Sequence, residues 1–138
     1  MNDRFHNTSR WLRYADEDLV TAETLLKQPH VPPRQACWHA QQAAEKTLKV
    51  VLIFLEIYFS RTHDLDALRN LVPDSWHLKN VHPDLSNLTR WALEACYPED
   101  MSETTNADAS KAVEQARTVW TSVFTALKEH GYHVEKDL

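Results

Sequence analysis

An all-α fold, a single up-down bundle of about five helices, is what this sequence predicts, and three observations predict it. The chain of 138 residues holds one glycine, Gly131. Apolar residues recur at alternating spacings of three and four along most of its length, which is the period of one helix face. The prolines fall between those periodic runs: Pro29, Pro32 and Pro33, then Pro73, Pro83 and Pro98. Proline removes a helical hydrogen bond, so it ends helices and starts them but rarely sits inside. No Asn-Gly or Asp-Gly pair offers a hairpin turn, and abundant Ala, Leu, Glu and Lys favour helix.

The elements follow in chain order. The first helix is expected from about Ser9 to Lys27, with Leu12, Ala15, Leu19, Ala22 and Leu26 as its stripe. The second is expected from about Arg34 to Tyr58. Ala40, Ala43, Ala44, Thr47, Leu48, Val51, Phe54 and Leu55 share one face, and Gln41, Gln42, Glu45, Lys46 and Lys49 the other. Small alanines let a neighbouring helix approach closely. A short third helix, about His63 to Leu71, has Thr62 as its expected N-cap and Asp64 and Asp66 at the positive end of its dipole. The fourth starts near Pro83, presents Leu85, Leu88, Trp91, Ala92 and Ala95, and closes at Pro98. After a polar loop, Thr105 or Asn106 caps the fifth helix. Its stripe is Ala109, Ala112, Val113, Ala116, Trp120, Val123, Phe124 and Leu127, and Gly131 is placed as the C′ residue. These elements make one domain over 1–138, with a core of about 9–130.

Composition excludes several classes. The chain is 43% hydrophobic and 25% charged, ordinary for a globular domain able to bury a core without staples. No apolar run reaches the roughly 18 residues of a bilayer span, and Val50–Leu55 is followed by Glu56. The N-terminus has no apolar signal region, so the cytoplasm is the expected location and no membrane contact is expected. Cys37 and Cys96 form no CxxC pair and read as buried free thiols. A net charge of −5 argues against a general electrostatic grip on nucleic acid. One glycine excludes phosphate-cradling loops and dinucleotide fingerprints. His63, His77 and His82 show no metal-ligand spacing, and no cofactor is expected. The tryptophans, Trp11, Trp38, Trp76, Trp91 and Trp120, read as core or interface aromatics, with only Trp38 beside Arg34 hinting at base stacking.

Four blocks carry a recognisable order. They are Ala15-Asp16-Glu17-Asp18-Leu19, His39-Ala40-Gln41-Gln42-Ala43-Ala44-Glu45-Lys46-Thr47-Leu48-Lys49, Arg61-Thr62-His63-Asp64-Leu65, and Trp91 through Tyr97-Pro98. Together they resemble the prokaryotic HEPN family over about residues 9–130. The resemblance implies an up-down helical bundle, usually a homodimer. It also implies association with a minimal nucleotidyltransferase subunit in a toxin–antitoxin-like pair, and contact with nucleotide or RNA. Some branches are metal-independent ribonucleases with an Arg-x(4–6)-His motif; others are binding modules. The sequence departs from its relatives at Cys96, where they tend to carry Arg before the Tyr-Pro pair, so an anion contact near Tyr97 is expected to be lost.

Arg34 and His39 fit Arg-x4-His. A neutral imidazole can take the proton of a ribose 2′-OH, and a guanidinium can hold the phosphate as charge develops, giving a 2′,3′-cyclic phosphate. Against that reading, Arg34 follows two prolines at a helix start, where the dipole disfavours a cation. The candidates for ligand contact are Gln42, Lys46 and Lys49 on the second helix, Arg61, His63 and Asp64 around the third, and Tyr97. The structural reading of the same residues is a solvated face with a Glu45–Lys49 pair, a His63 bonded to a neighbouring helix, and an Asp64 that supports a helix N-terminus.

Overall fold

The computed structural model of the chain describes residues 3–96 and 103–133. Within them six α-helices pack into one bundle: α1 (Asp3–Leu26), α2 (Pro33–Phe54), α3 (Leu65–Asn70), α4 (Leu78–Val81), α5 (Ser86–Cys96) and α6 (Asn106–Glu129), with a 3-10 turn over Asp74–Trp76. No strand occurs among the described residues. The all-α expectation holds.

The second helix is the axle of the bundle, packing against α1, α3, α5 and α6. Its composition explains this. Ala36, Ala40, Ala43 and Ala44 are all buried, so α1 and α6 can lie close on either side. Leu12, Ala15, Leu19 and Ala22 of α1 and Ala109, Ala116, Val119, Val123 and Leu127 of α6 fill the core around it. Arg117 ties α6 back to α1 with two parallel hydrogen bonds to Glu23, Nε–Oε2 at 3.0 Å and Nη2–Oε1 at 2.6 Å. That fork holds the Glu23 carboxyl below its usual range.

Two helices end in the same way by different means. At α6, Gly131 has φ +95°. Its N–H donates to the Lys128 carbonyl at 3.2 Å, and the Tyr132 N–H donates to the Leu127 carbonyl at 2.9 Å. This is a Schellman cap, with glycine supplying the left-handed residue as its sequence position predicts. It turns Tyr132 inward against Phe5 and Phe54, and the hydroxyls of Tyr132 and Ser9 share a hydrogen bond at 2.7 Å. At α2 the same pair of bonds runs from Glu56 to Ile53 and from Ile57 to Leu52. Here Glu56 takes the left-handed residue at φ 57°, a conformation that costs about 1 kcal/mol without glycine. The helix therefore stops at Phe54, short of the expected Tyr58.

Other boundaries also differ. The first helix starts at Asp3 rather than near Ser9, with Thr8 and Ser9 buried inside it. Between the expected third and fourth helices, residues 74–81 form the 3-10 turn and α4, with Trp76 and Leu78 buried there. The helix expected near Pro83 starts at Ser86, where Leu85 accepts from Leu88 and Thr89. Asp64, not Thr62, caps α3, accepting from the Ala67 N–H at 3.2 Å. Thr62 instead accepts from the Asp64 N–H. Thr105 caps α6 as expected, in a reciprocal capping box with Asp108.

Candidate functional site

The site is built along the outward side of α2. Its first half joins α2 to α1. Asp18 faces α2 because it stands three residues after buried Ala15 and four before buried Ala22, at the edge of the α1 stripe. One carboxylate oxygen meets His39 Nδ1 at 3.2 Å, and the other accepts from Lys46 Nζ. His39 is thus held by one ring nitrogen, with a quarter of its side chain, 26%, open to solvent.

The second half joins α2 to the chain entering α3. Glu45 is buried, and its Oε1 meets His63 Nδ1 at 2.7 Å and accepts from Gln41 Nε2 at 3.2 Å, while Oε2 accepts from Lys49 Nζ at 2.9 Å. Gln41 is also fully buried; its amide donates to the His63 carbonyl at 3.3 Å and its oxygen accepts from Gln42 at 2.7 Å. Burial alone would raise the Glu45 carboxyl, but hydrogen bonds from Lys49, His63 and Gln41 outweigh it and hold it below the usual value. Lys49 lies 5.8 Å from the Phe59 ring centroid. His63 keeps more than half of its side chain, 56%, in solvent.

The predicted residues divide on this geometry. His39 and Lys46 are joined through Asp18, and Gln42, Lys49 and His63 through Gln41 and Glu45, in two networks along one side of α2. Arg34 is exposed in the first turn of α2 and takes no part in either. Five residues along a helix place Arg34 and His39 about 140° apart in direction and about 7.5 Å apart in height. The cation that the fold brings to His39 is Lys46, through their shared Asp18. Arg61 is exposed, and Asp64 is occupied as the α3 cap. Tyr97 lies outside the described residues.

The face expected to be solvated is in fact partly buried: Gln41 and Glu45 are closed off by the segment before α3. Asp18, Gln41 and Glu45 are the site residues that spacing missed. A second polar knot lies beyond α3. Buried Arg69 donates to Asp66 and to the His82 carbonyl, each at 2.6 Å, and His82 Nε2 meets Ser122 Oγ at 3.0 Å. Burial, then the charge of Arg69, lowers the His82 pKa, so this ring is a neutral structural strut. Cys37 is buried, as expected. Trp76 and Trp91 are core residues, while Trp38 is partly exposed against His39.

With this geometry in hand, comparison with known proteins is specific. The HEPN domain family matches residues 8–129. The chain belongs to this family. A protein of the archaeon Methanocaldococcus jannaschii named "Putative toxin MJ1304" is 32% identical over 134 residues, spanning 86% of this chain and 87% of the relative. No solved structure matches. The helical bundle is thus a HEPN bundle, with its recognisable His39–Lys49 block on the most central helix. Among the described residues, no helix is long and apolar enough to cross a membrane, and no three His, Cys, Asp or Glu side chains are placed to hold a metal ion.

Proposed function

We propose that this HEPN domain is a binding and partner module. It works as a homodimer with a minimal nucleotidyltransferase, in a toxin–antitoxin-like pair, and receives a nucleotide or RNA on the polar face of α2. One observation carries the reading: Gln42, Lys46, Lys49 and His63 converge on one face, whereas Arg34 of the expected catalytic pair stands apart from it. This face of α2 offers both donors and acceptors, with each lysine opposite a carboxylate. Such a surface suits a ligand with polar edges, which exchanges hydrogen bonds with the network. The name of the archaeal relative supports the toxin context.

The test is thermal melting with ATP and other nucleotides at millimolar concentration. A ligand that binds only the folded state raises stability, by about 2.7 kcal/mol at a hundred times its Kd. The midpoint of the wild type is expected to rise, and that of a Gln42→Ala, Lys46→Gln variant to stay still. An unmoved wild-type midpoint across the nucleotides would sink the nucleotide reading.

The His39–Asp18 pair favours a second reading, a metal-independent endoribonuclease. Asp18 fixes one ring nitrogen, and the other is the base. It takes the 2′-OH proton, the 2′-oxygen attacks phosphorus, and the 5′-oxygen departs to leave a 2′,3′-cyclic phosphate. In this reading Lys46 supplies charge near His39, and Arg34 contributes through its long side chain or from a second protomer.

A further inference from the structure

Trp38 is the most exposed of the five tryptophans, at 36%. Its ring stands nearly perpendicular to that of His39, at 85° with centroids 5.0 Å apart, and His39 is itself held by Asp18. The indole is thus braced on one side and open to solvent. Its neighbours one helical turn away are Arg34, Gln35, Gln41 and Gln42. None is apolar. A lone ring in polar surroundings is too small an apolar area to seat a second copy of the chain.

Gln42, one turn after Trp38, has its amide orientation dictated from the core. An ionised carboxylate and a backbone carbonyl only accept hydrogen bonds. Buried Gln41 meets one of each, Glu45 Oε1 at 3.2 Å and the His63 carbonyl at 3.3 Å, so it must turn its NH2 group toward them. Its oxygen is left to face Gln42, 2.7 Å away, and Gln42 must present its own NH2 group there. The Gln42 carbonyl oxygen is left over, with no donor meeting it among the described residues. Two glutamines in series thus turn a buried carboxylate into an acceptor one turn from an open indole.

We propose that Trp38 and Gln42 read one base of a single-stranded RNA, Trp38 by stacking on it and the Gln42 oxygen by accepting from its exocyclic amino group. This rests on the reading of the α2 face as a ligand surface and adds the class of base. Residues four apart stand about 6 Å apart along a helix, so a base lying on the indole reaches Gln42 with its edge. Adenine and cytosine offer an amino group there, whereas uracil offers a carbonyl oxygen that opposes the Gln42 oxygen. Stacking sets affinity for any base, and Gln42 sets the preference.

The experiment is fluorescence anisotropy of labelled oligo(A), oligo(C) and oligo(U), each about eight nucleotides long, with the whole protein. Oligo(A) and oligo(C) should bind about tenfold tighter than oligo(U), the worth of one hydrogen bond made rather than opposed. Trp38→Ala should weaken all three about tenfold and keep their ratio, and Trp38→Phe should restore most of the loss. Gln42→Ala should bring oligo(A) and oligo(C) down to oligo(U). Equal binding of the three by the wild type, wild-type affinity in Trp38→Ala, or an undiminished preference in Gln42→Ala would each overturn the proposal and leave α2 as a ligand face. A Trp38→Ala protein that sediments as a smaller species than the wild type would overturn it too, by assigning the indole to a contact between copies. Failure of every oligonucleotide to bind also overturns it, and the ligand face itself falls only if nucleotides leave the melting midpoint unmoved as well.

Discussion

The polar face of α2 and the seam between α5 and α6 both present lysine, and they use it in opposite ways. On the α2 face each lysine has an acid: Lys46 has Asp18, and Lys49 has Glu45. Those pairs are half-buried and join α1, α2 and the entry to α3, so the face is part of the scaffold as well as a surface. At the α5–α6 seam exposed Lys111 stands near Asp108, whose carboxylate the Thr105 N–H already uses. The lesson is that a lysine on a helix is not by itself a free charge. What matters is whether the fold has already given it a partner.

If that contrast is right, removing a charge from the α2 face costs stability, and removing one from the seam does not. The largest effect belongs to Glu45. Glu45→Gln should lower stability by about 2 kcal/mol at pH 7, since buried hydrogen bonds to charged groups are lost while Lys49 and His63 stay nearby. The pH dependence has a definite sign. The Glu45 carboxyl is held below its ordinary value of 4.5 in the fold. Its contribution is therefore fully present above pH 4.5 and lost as pH falls through the lower folded value. Denaturant melts between pH 7 and pH 3 should show this acid loss in the wild type and a shallower one in Glu45→Gln. Equal slopes would remove Glu45 from the role of hub.

A smaller effect of the opposite sign lies between the two regions. Glu56→Gly should stabilise the chain by about 1 kcal/mol in the same melts, because it relieves the left-handed residue at the end of α2. A destabilised variant would mean that the Glu56 side chain holds something the backbone geometry does not reveal. The smallest effect is expected at Lys111. Lys111→Gln should move stability by less than about 0.5 kcal/mol, as exposed surface changes do. A larger loss would erase the contrast between face and seam.

The long helices were legible because burial follows spacing in them: Leu12, Ala15, Leu19 and Ala22 line the core as their period requires. Gly131 was legible because only one residue type takes its conformation freely. Glu56 does the same task without the signal, so the end of α2 was hidden. The site was legible in its residue types and hidden in its pairings. Glu45 reads as a solvated acid on a polar face, and only a partner 18 residues away, His63, makes it a buried hub. Asp18 left a faint trace, an acid at the edge of an apolar stripe.

The central proposal is that this HEPN domain is a binding module, with the ribonuclease as its alternative. The most direct measurement is metal-free cleavage of a mixed RNA by folded wild-type protein and by His39→Ala. The account predicts intact RNA with both proteins. Cleavage by the wild type that disappears in His39→Ala would contradict it, and would make the His39–Asp18 pair the heart of a ribonuclease.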